Sequence, residues 1–187
     1  AVAGEPAVTE PEPAARPTLV LIDGYALIFR AYHGMPNTLT TSGGEPVGGV
    51  FGFTRMLLDV LRGQAPEYIL LTLDAGPTFR HVEYAEYKAH RPAMPDDLKN
   101  QVRRVREVVE ALNIPIYQLP GFEADDVIGT MARQAAERGL RALILTGDRD
   151  LLQVVAPHVE VLTPGARRFD EARLFDAAEV ERRYGFA

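Results

Sequence analysis

The sequence predicts an α/β fold, a mostly parallel central sheet with helices on both faces, and three observations carry that expectation. Short apolar runs alternate with longer amphipathic segments, the pattern of parallel strands joined by helices. Each run is continuous and rich in Ile, Leu and Val, as in strands covered on both faces. No internal repeat is visible, and 187 residues are enough for one domain with its own core.

Residues 1–17 are expected to be a disordered leader. Pro6, Pro11, Pro13 and Pro17 stand among Glu5, Glu10 and Glu12 with no apolar period, so the segment has too little to bury to offset its ordering entropy. The domain is expected to span 18–187. Strands are predicted at Thr18–Ile22, Tyr68–Leu73, Ile116–Leu119 and Ala142–Thr146, with a weaker one at Val159–Leu162. A helix is predicted from Asp97 to Asn113, where Leu98, Val102, Val105, Val109 and Leu112 recur at steps of three and four and form one buried stripe. Similar spacing predicts helices at Val47–Arg62 and Ala124–Arg138, the latter stopped by Gly139. Short helices are expected at Asp150–Val155 and Asp176–Tyr184.

Composition removes several classes of function. The chain has no cysteine, so disulfides, zinc–thiolate sites, iron–sulfur clusters and thiol nucleophiles are excluded, and any metal must bind oxygen or histidine. No run approaches a membrane span and no signal peptide is visible, which predicts a soluble intracellular protein. The net charge of −6 argues against a uniformly basic nucleic-acid coat, but says nothing of how charge is distributed.

That distribution is informative. The first strand ends in Asp23, the second in Asp74, the third leads to Glu123, Asp125 and Asp126, and the fourth to Asp148 and Asp150. In an open parallel sheet these edges share one side, where such folds place their sites. Singly, Asp125 and Asp126 suit the first turn of a helix and Asp150 an N-cap. Seven like charges in one pocket, however, repel unless cations neutralise them, and hard divalent ions such as magnesium suit oxygen ligands. Two such ions would leave the cluster at about −3, so an anionic phosphate would need further cations.

Those cations are expected in the long connection at about 76–96, too long for an ordinary loop. Within it Arg80, Tyr84, Tyr87, Lys88 and Arg91 would share one face of a helix. Cations interleaved with aromatics suit single-stranded nucleic acid, although the two tyrosines are also suited to packing on the body of the domain. From Arg80 to Arg106 the chain carries seven basic and four acidic residues, a local +3. His33, His81, His90 and His158 lack metal-ligand pairing, and Ser42 has neither a partner base nor a P-loop lysine nearby.

Four segments carry a resemblance to a known family. LIDGYALIFRAYH, LDAGPTFRHVEYAEYKAHRPAMPDDL, GFEADDVIGTMA and TGDRDLLQVV resemble, in order and spacing, the PIN-like 5′-nuclease family, 5′ to 3′ exonucleases and flap endonucleases, found at the N-terminus of bacterial DNA polymerase I. The resemblance runs from about Thr18 to the end. It implies that Asp23, Asp74, Glu123, Asp125, Asp126, Asp148 and Asp150 surround two Mg2+ ions, for which Mn2+ can substitute. It also implies a mobile helical arch in which Arg80 and Lys88 handle the scissile phosphate, while the basic–aromatic pattern itself puts Tyr84, Tyr87 and Arg91 on the substrate as well.

The implied partners are DNA with 5′ flaps or 5′ ends and, in the same polypeptide, polymerase domains. The expected state is a cytoplasmic monomer without a membrane partner. The family continues beyond the position of Ala187 with a Gly-Asp-x-x-Asp-Asn type segment and a helix–three-turn–helix module, which leaves a second expectation open: a fragment that binds metal or DNA without cutting. A PIN-type ribonuclease is the enzymatic alternative, since it shares the acidic sheet edge but normally lacks a long basic arch.

Overall fold

A computed structural model describes residues 16–36, 38–84, 86–90, 92–165 and 172–185. Most of the expected leader, residues 1–15, and Arg91 lie outside the described residues. Six strands form one sheet: β1 (Thr18–Asp23), β2 (Tyr68–Thr72), β3 (Ile116–Tyr117), β4 (Arg141–Leu145), β5 (Val159–Thr163) and β6 (Arg173–Phe175). Their order is β3-β2-β1-β4-β5-β6. The first five are parallel and β6 runs antiparallel to β5. The chain builds outward from β1 to β3, then returns to the other side of β1 with β4. The switch point therefore lies between β1 and β4, and open α/β sheets bind their ligands outside the strand ends at such a point.

Among the described residues, helices α1 (Gly24–Gly34), α2 (Gly48–Gln64), α3 (Phe79–Glu83), α4 (Asp96–Ala111), α5 (Ala124–Glu137) and α6 (Ala177–Tyr184) accompany the sheet, with a 3-10 stretch at Asp150–Val154. Alternation within each strand feeds two cores. Val20 and Ile22 of β1 and Leu143 and Leu145 of β4 pack with Leu27, Phe53, Leu57 and Val105 from α1, α2 and α4. Leu21, Ala142 and Ile144 face the other way, toward Ile128 and Ala132 of α5 and Val180 of α6. Both faces are covered, which is why the strands read as unbroken apolar runs.

Two elements, α1 and β6, were not expected from the sequence. Helix α1 starts directly at the end of β1, with Asp23 as its N-cap accepting from the Ala26 N–H at 3.2 Å. Gly24 makes that junction possible, because a Cβ there would stand 2.8 Å from the Thr72 carbonyl oxygen and 2.6 Å from Leu73 Cδ2. Strand β6 has only three residues.

The single helical face expected in the arch is corrected, since α3 covers only its first residues, Phe79–Glu83. After Glu83 the chain turns extended at Tyr84 (φ −137°, ψ 96°), and Lys88 takes a left-handed φ of 57°, so Arg80, Tyr84, Tyr87 and Lys88 do not share one helical face. The spacing was right for a helix, but α3 buries none of its residues, and a short helix without a packed apolar face is marginal in water.

Candidate active site

The C-terminal edges of β1, β2 and β4 and the N-terminus of α5 surround a cavity of about 300 Å3, lined by Asp23, Asp74, Glu123, Asp125 and Asp148 together with Tyr25, Phe29, Lys88 and Met94. Five of the seven expected carboxylates therefore share one cavity. Asp126 faces the adjoining groove beside α5, and Asp150 lies in a separate hollow with Arg149, Leu152 and Tyr184. Five of the seven thus line the cavity itself, and Asp126 and Asp150 border the hollows beside it. Asp126 points sideways because it follows Asp125 by one helical residue, about 100° around the axis. Asp150 begins the 3-10 stretch, and its N–H donates to Asp148 Oδ1 at 2.9 Å.

Asp23 is only 5% exposed. Burial pushes its carboxyl above the usual range, opposed by hydrogen bonds from Thr146 and Ala26. Thr146 ties two strand ends together: its hydroxyl donates to Asp23 Oδ2 at 2.7 Å and accepts from the Asp148 N–H at 2.9 Å. Asp74 Oδ1 accepts from the Ala124 N–H at 2.7 Å, which anchors the start of α5 to the end of β2. Asp125 sits amid these acids, and burial followed by repulsion from Asp23, Asp148, Asp74 and Glu123 pushes it up to about 7.

The long connection returns to the acids through particular contacts. Lys88 Nζ donates to Glu123 Oε1 at 2.6 Å, and the Tyr87 hydroxyl donates to Glu123 Oε2 at 3.0 Å. Burial alone would raise Glu123, but these donors outweigh it and hold the carboxyl below its ordinary value. Arg80 forks onto Asp126 at 2.6 and 2.7 Å, which depresses Asp126 and raises Arg80. His81 caps the start of α3 by accepting from the Thr78 N–H at 3.1 Å, and its ring meets Tyr87 edge-on at 5.3 Å. Tyr84 is 67% exposed.

Among the described residues, no three His, Asp or Glu side chains form a ready-made metal cage. The donors around the cavity nevertheless fit a hard divalent cation. They are all carboxylate oxygens, and burial together with mutual repulsion brings Asp125 to about 7. Glu123 accepts one hydrogen bond at each oxygen, from Lys88 and Tyr87, and keeps further lone pairs on both.

Sequence reasoning missed Thr146 and Gln118. Thr146 closes an apolar run and reads as its last strand residue. Gln118 accepts from Arg106 at 3.1 Å and donates to the Asp74 carbonyl at 2.9 Å, a bridge with no local sequence signal.

Residues 18–185 match the family described as 5′-3′ exonuclease, N-terminal resolvase-like domain. DNA polymerase I of Chloroflexus aurantiacus is 48% identical over 172 residues, covering 91% of this chain and 18% of that protein. DNA polymerase I of Mycobacterium bovis is 44% identical over 176 residues, covering 93% and 19%. The chain thus spans about a fifth of the length of these curated relatives. The fold resembles the D15 protein of T5 co-crystallised with metal ions, with TM-score 0.67 and 14% identity over 90% of this chain and 60% of that one. A bacteriophage T5 D15 flap endonuclease complex with DNA and metal ions gives TM-score 0.68 and 13% identity over 90% and 61%.

Proposed function

Because the chain belongs to the 5′-3′ exonuclease, N-terminal resolvase-like domain family, we propose that it is the 5′-nuclease part of a DNA polymerase I, hydrolysing DNA phosphodiesters near 5′ ends and at 5′ flaps in the bacterial cytoplasm. The observation that carries this reading is the five-carboxylate cavity at the sheet switch point with the basic residues Arg80 and Lys88 at its border. The long basic connection favours flapped DNA over the RNA of a PIN-type ribonuclease. The chain acts as a monomer, covalently continuous with polymerase domains.

Asp23, Asp74, Glu123, Asp125 and Asp148 would hold two divalent ions, Mg2+ or Mn2+ in its place, directly or through water. When bound, such ions supply a hydroxide nucleophile at neutral pH and charge stabilisation for the leaving oxygen. Thr146 and the Ala124 N–H orient Asp23 and Asp74 for that task. Lys88 and Arg80, released from Glu123 and Asp126, meet the scissile phosphate, each worth about 3 kcal/mol of transition-state stabilisation. Tyr87 stacks on an unpaired base beside Lys88. Arg91, next on the same connection, adds backbone contact, and Tyr84 supplies a second exposed ring. Asp126 balances Arg80 and Asp150 supports the Asp148 loop through its backbone N–H, 2.9 Å from Asp148 Oδ1.

A 5′-flap cleavage assay with Mg2+ or Mn2+ tests the proposal. Asp125→Asn is expected to reduce cutting by more than about a hundredfold, and near-parental cleavage would remove Asp125 from the site. A second reading is favoured by the ion pairs that already occupy Glu123 and Asp126: the chain alone binds metal and DNA without cutting. Comparing it with the longer polypeptide in the same assay separates the two, since equal rates would show the chain to be sufficient.

A further inference from the structure

Beside α5 runs a groove of about 670 Å3 that the reaction just described does not use. Its walls are Phe79, Tyr117, Leu119, Phe122, Val127 and Met131. Phe79, Tyr117 and Phe122 are 39%, 45% and 44% exposed, a concentration of solvent-facing rings that a domain of this size has no packing reason to keep. Phe79 and Phe122 face each other at 5.8 Å between ring centres and 59° between planes. Their backbones are tied as well, with the Phe79 N–H donating to the Gly121 carbonyl at 2.9 Å, so the pair is held from two separate segments.

We propose that this groove is a stacking platform for unpaired nucleobases of the 5′ tail of a nucleic-acid substrate. The inference rests on the nuclease reading and extends it to a subsite. Continuity with the cavity identifies the occupant. Asp126 lines the groove and is gripped by Arg80, and the Arg80 guanidinium lies 4.6 Å from the centre of the Phe79 ring. A phosphate drawn to Arg80 therefore delivers its neighbouring base to Phe79 and Phe122. Cations that track the backbone beside aromatic faces are the recurring chemistry of single-strand binding. The volume lies within the range of small-ligand sites, which combine apolar walls with a few polar groups. Those groups are present in Thr130 and Gln134.

The test compares two 5′-flap substrates with identical phosphates, one tail carrying thymines and the other abasic. Binding is read by fluorescence anisotropy with Ca2+ in place of Mg2+ and cleavage in parallel with Mg2+. The parent chain is expected to bind the thymine tail about five- to a hundredfold more tightly. Phe122→Leu is expected to bring that ratio close to one, and Phe122→Trp to keep it. Tyr117→Leu, on the edge strand, is a second variant should Phe122→Leu melt early. A parent that binds and cuts both flaps equally, or variants that keep the parental ratio, would overturn the platform while leaving the nuclease reading intact, and would assign the groove to a polypeptide segment of a longer protein. A parent that neither binds nor cuts either flap would overturn both.

Discussion

The Thr146 hydroxyl sits between two carboxylates that arrive from different strands, donating to Asp23 and accepting from the backbone of Asp148. Thr146→Val keeps the shape and deletes both bonds, leaving Asp23 oxygen buried without its donor. Urea unfolding is expected to show a loss of about 1–3 kcal/mol, and calorimetric titration with Mn2+ an affinity lower by about ten- to a hundredfold. A variant unchanged in both would show that the two carboxylates hold their places without it. The five cavity acids were legible as residues because each follows an apolar run. That Asp126 turns to Arg80 instead was not legible, since one residue of helical rotation separates it from Asp125 and only the fold sets the helix phase.

Among the elements, α1 and the Arg80–Lys88 connection mark where periodicity fails in opposite directions. Helix α1 begins without a loop, so Leu27 and Ile28 prolong the apolar run of β1 and mask the change of period. The connection shows the reverse: helical spacing without an apolar face to hold a helix, and hydrogen bonds to Glu123 and Asp126 shape it instead. Gly24 is the sharpest test of the β1–α1 junction. Gly24→Ala pushes a methyl against the Thr72 carbonyl and Leu73, with an expected destabilisation of about 1–3 kcal/mol. A melting temperature equal to the parent's would mean that the junction can shift aside.

For the whole molecule, two apolar layers fold the chain and an acidic edge opposes it. Among the described residues no helix is long and apolar enough to cross a membrane, and the clustered carboxylates repel across one cavity. Divalent cations should therefore stabilise as well as activate. Mn2+ at a hundred times its dissociation constant is expected to add about 2.7 kcal/mol, raising the melting temperature by about 5–10 °C in a scanning-fluorimetry series, and Asp125→Asn is expected to remove most of that gain. An unchanged melting curve in the parent would count against cation binding in the cavity.

The amino-acid order by itself determined the five parallel strands, the placement of acids at their carboxyl edge and the basic connection beside them. Those features follow from apolar runs and from where polar residues interrupt them, which are local. Tertiary structure alone decided which acids share the cavity, that Thr146 and Gln118 brace it, and that aromatic rings from Phe79, Tyr117 and Phe122 meet in one groove. Each of these depends on helix phase, strand order and the approach of residues distant in sequence, and no local pattern encodes such distances.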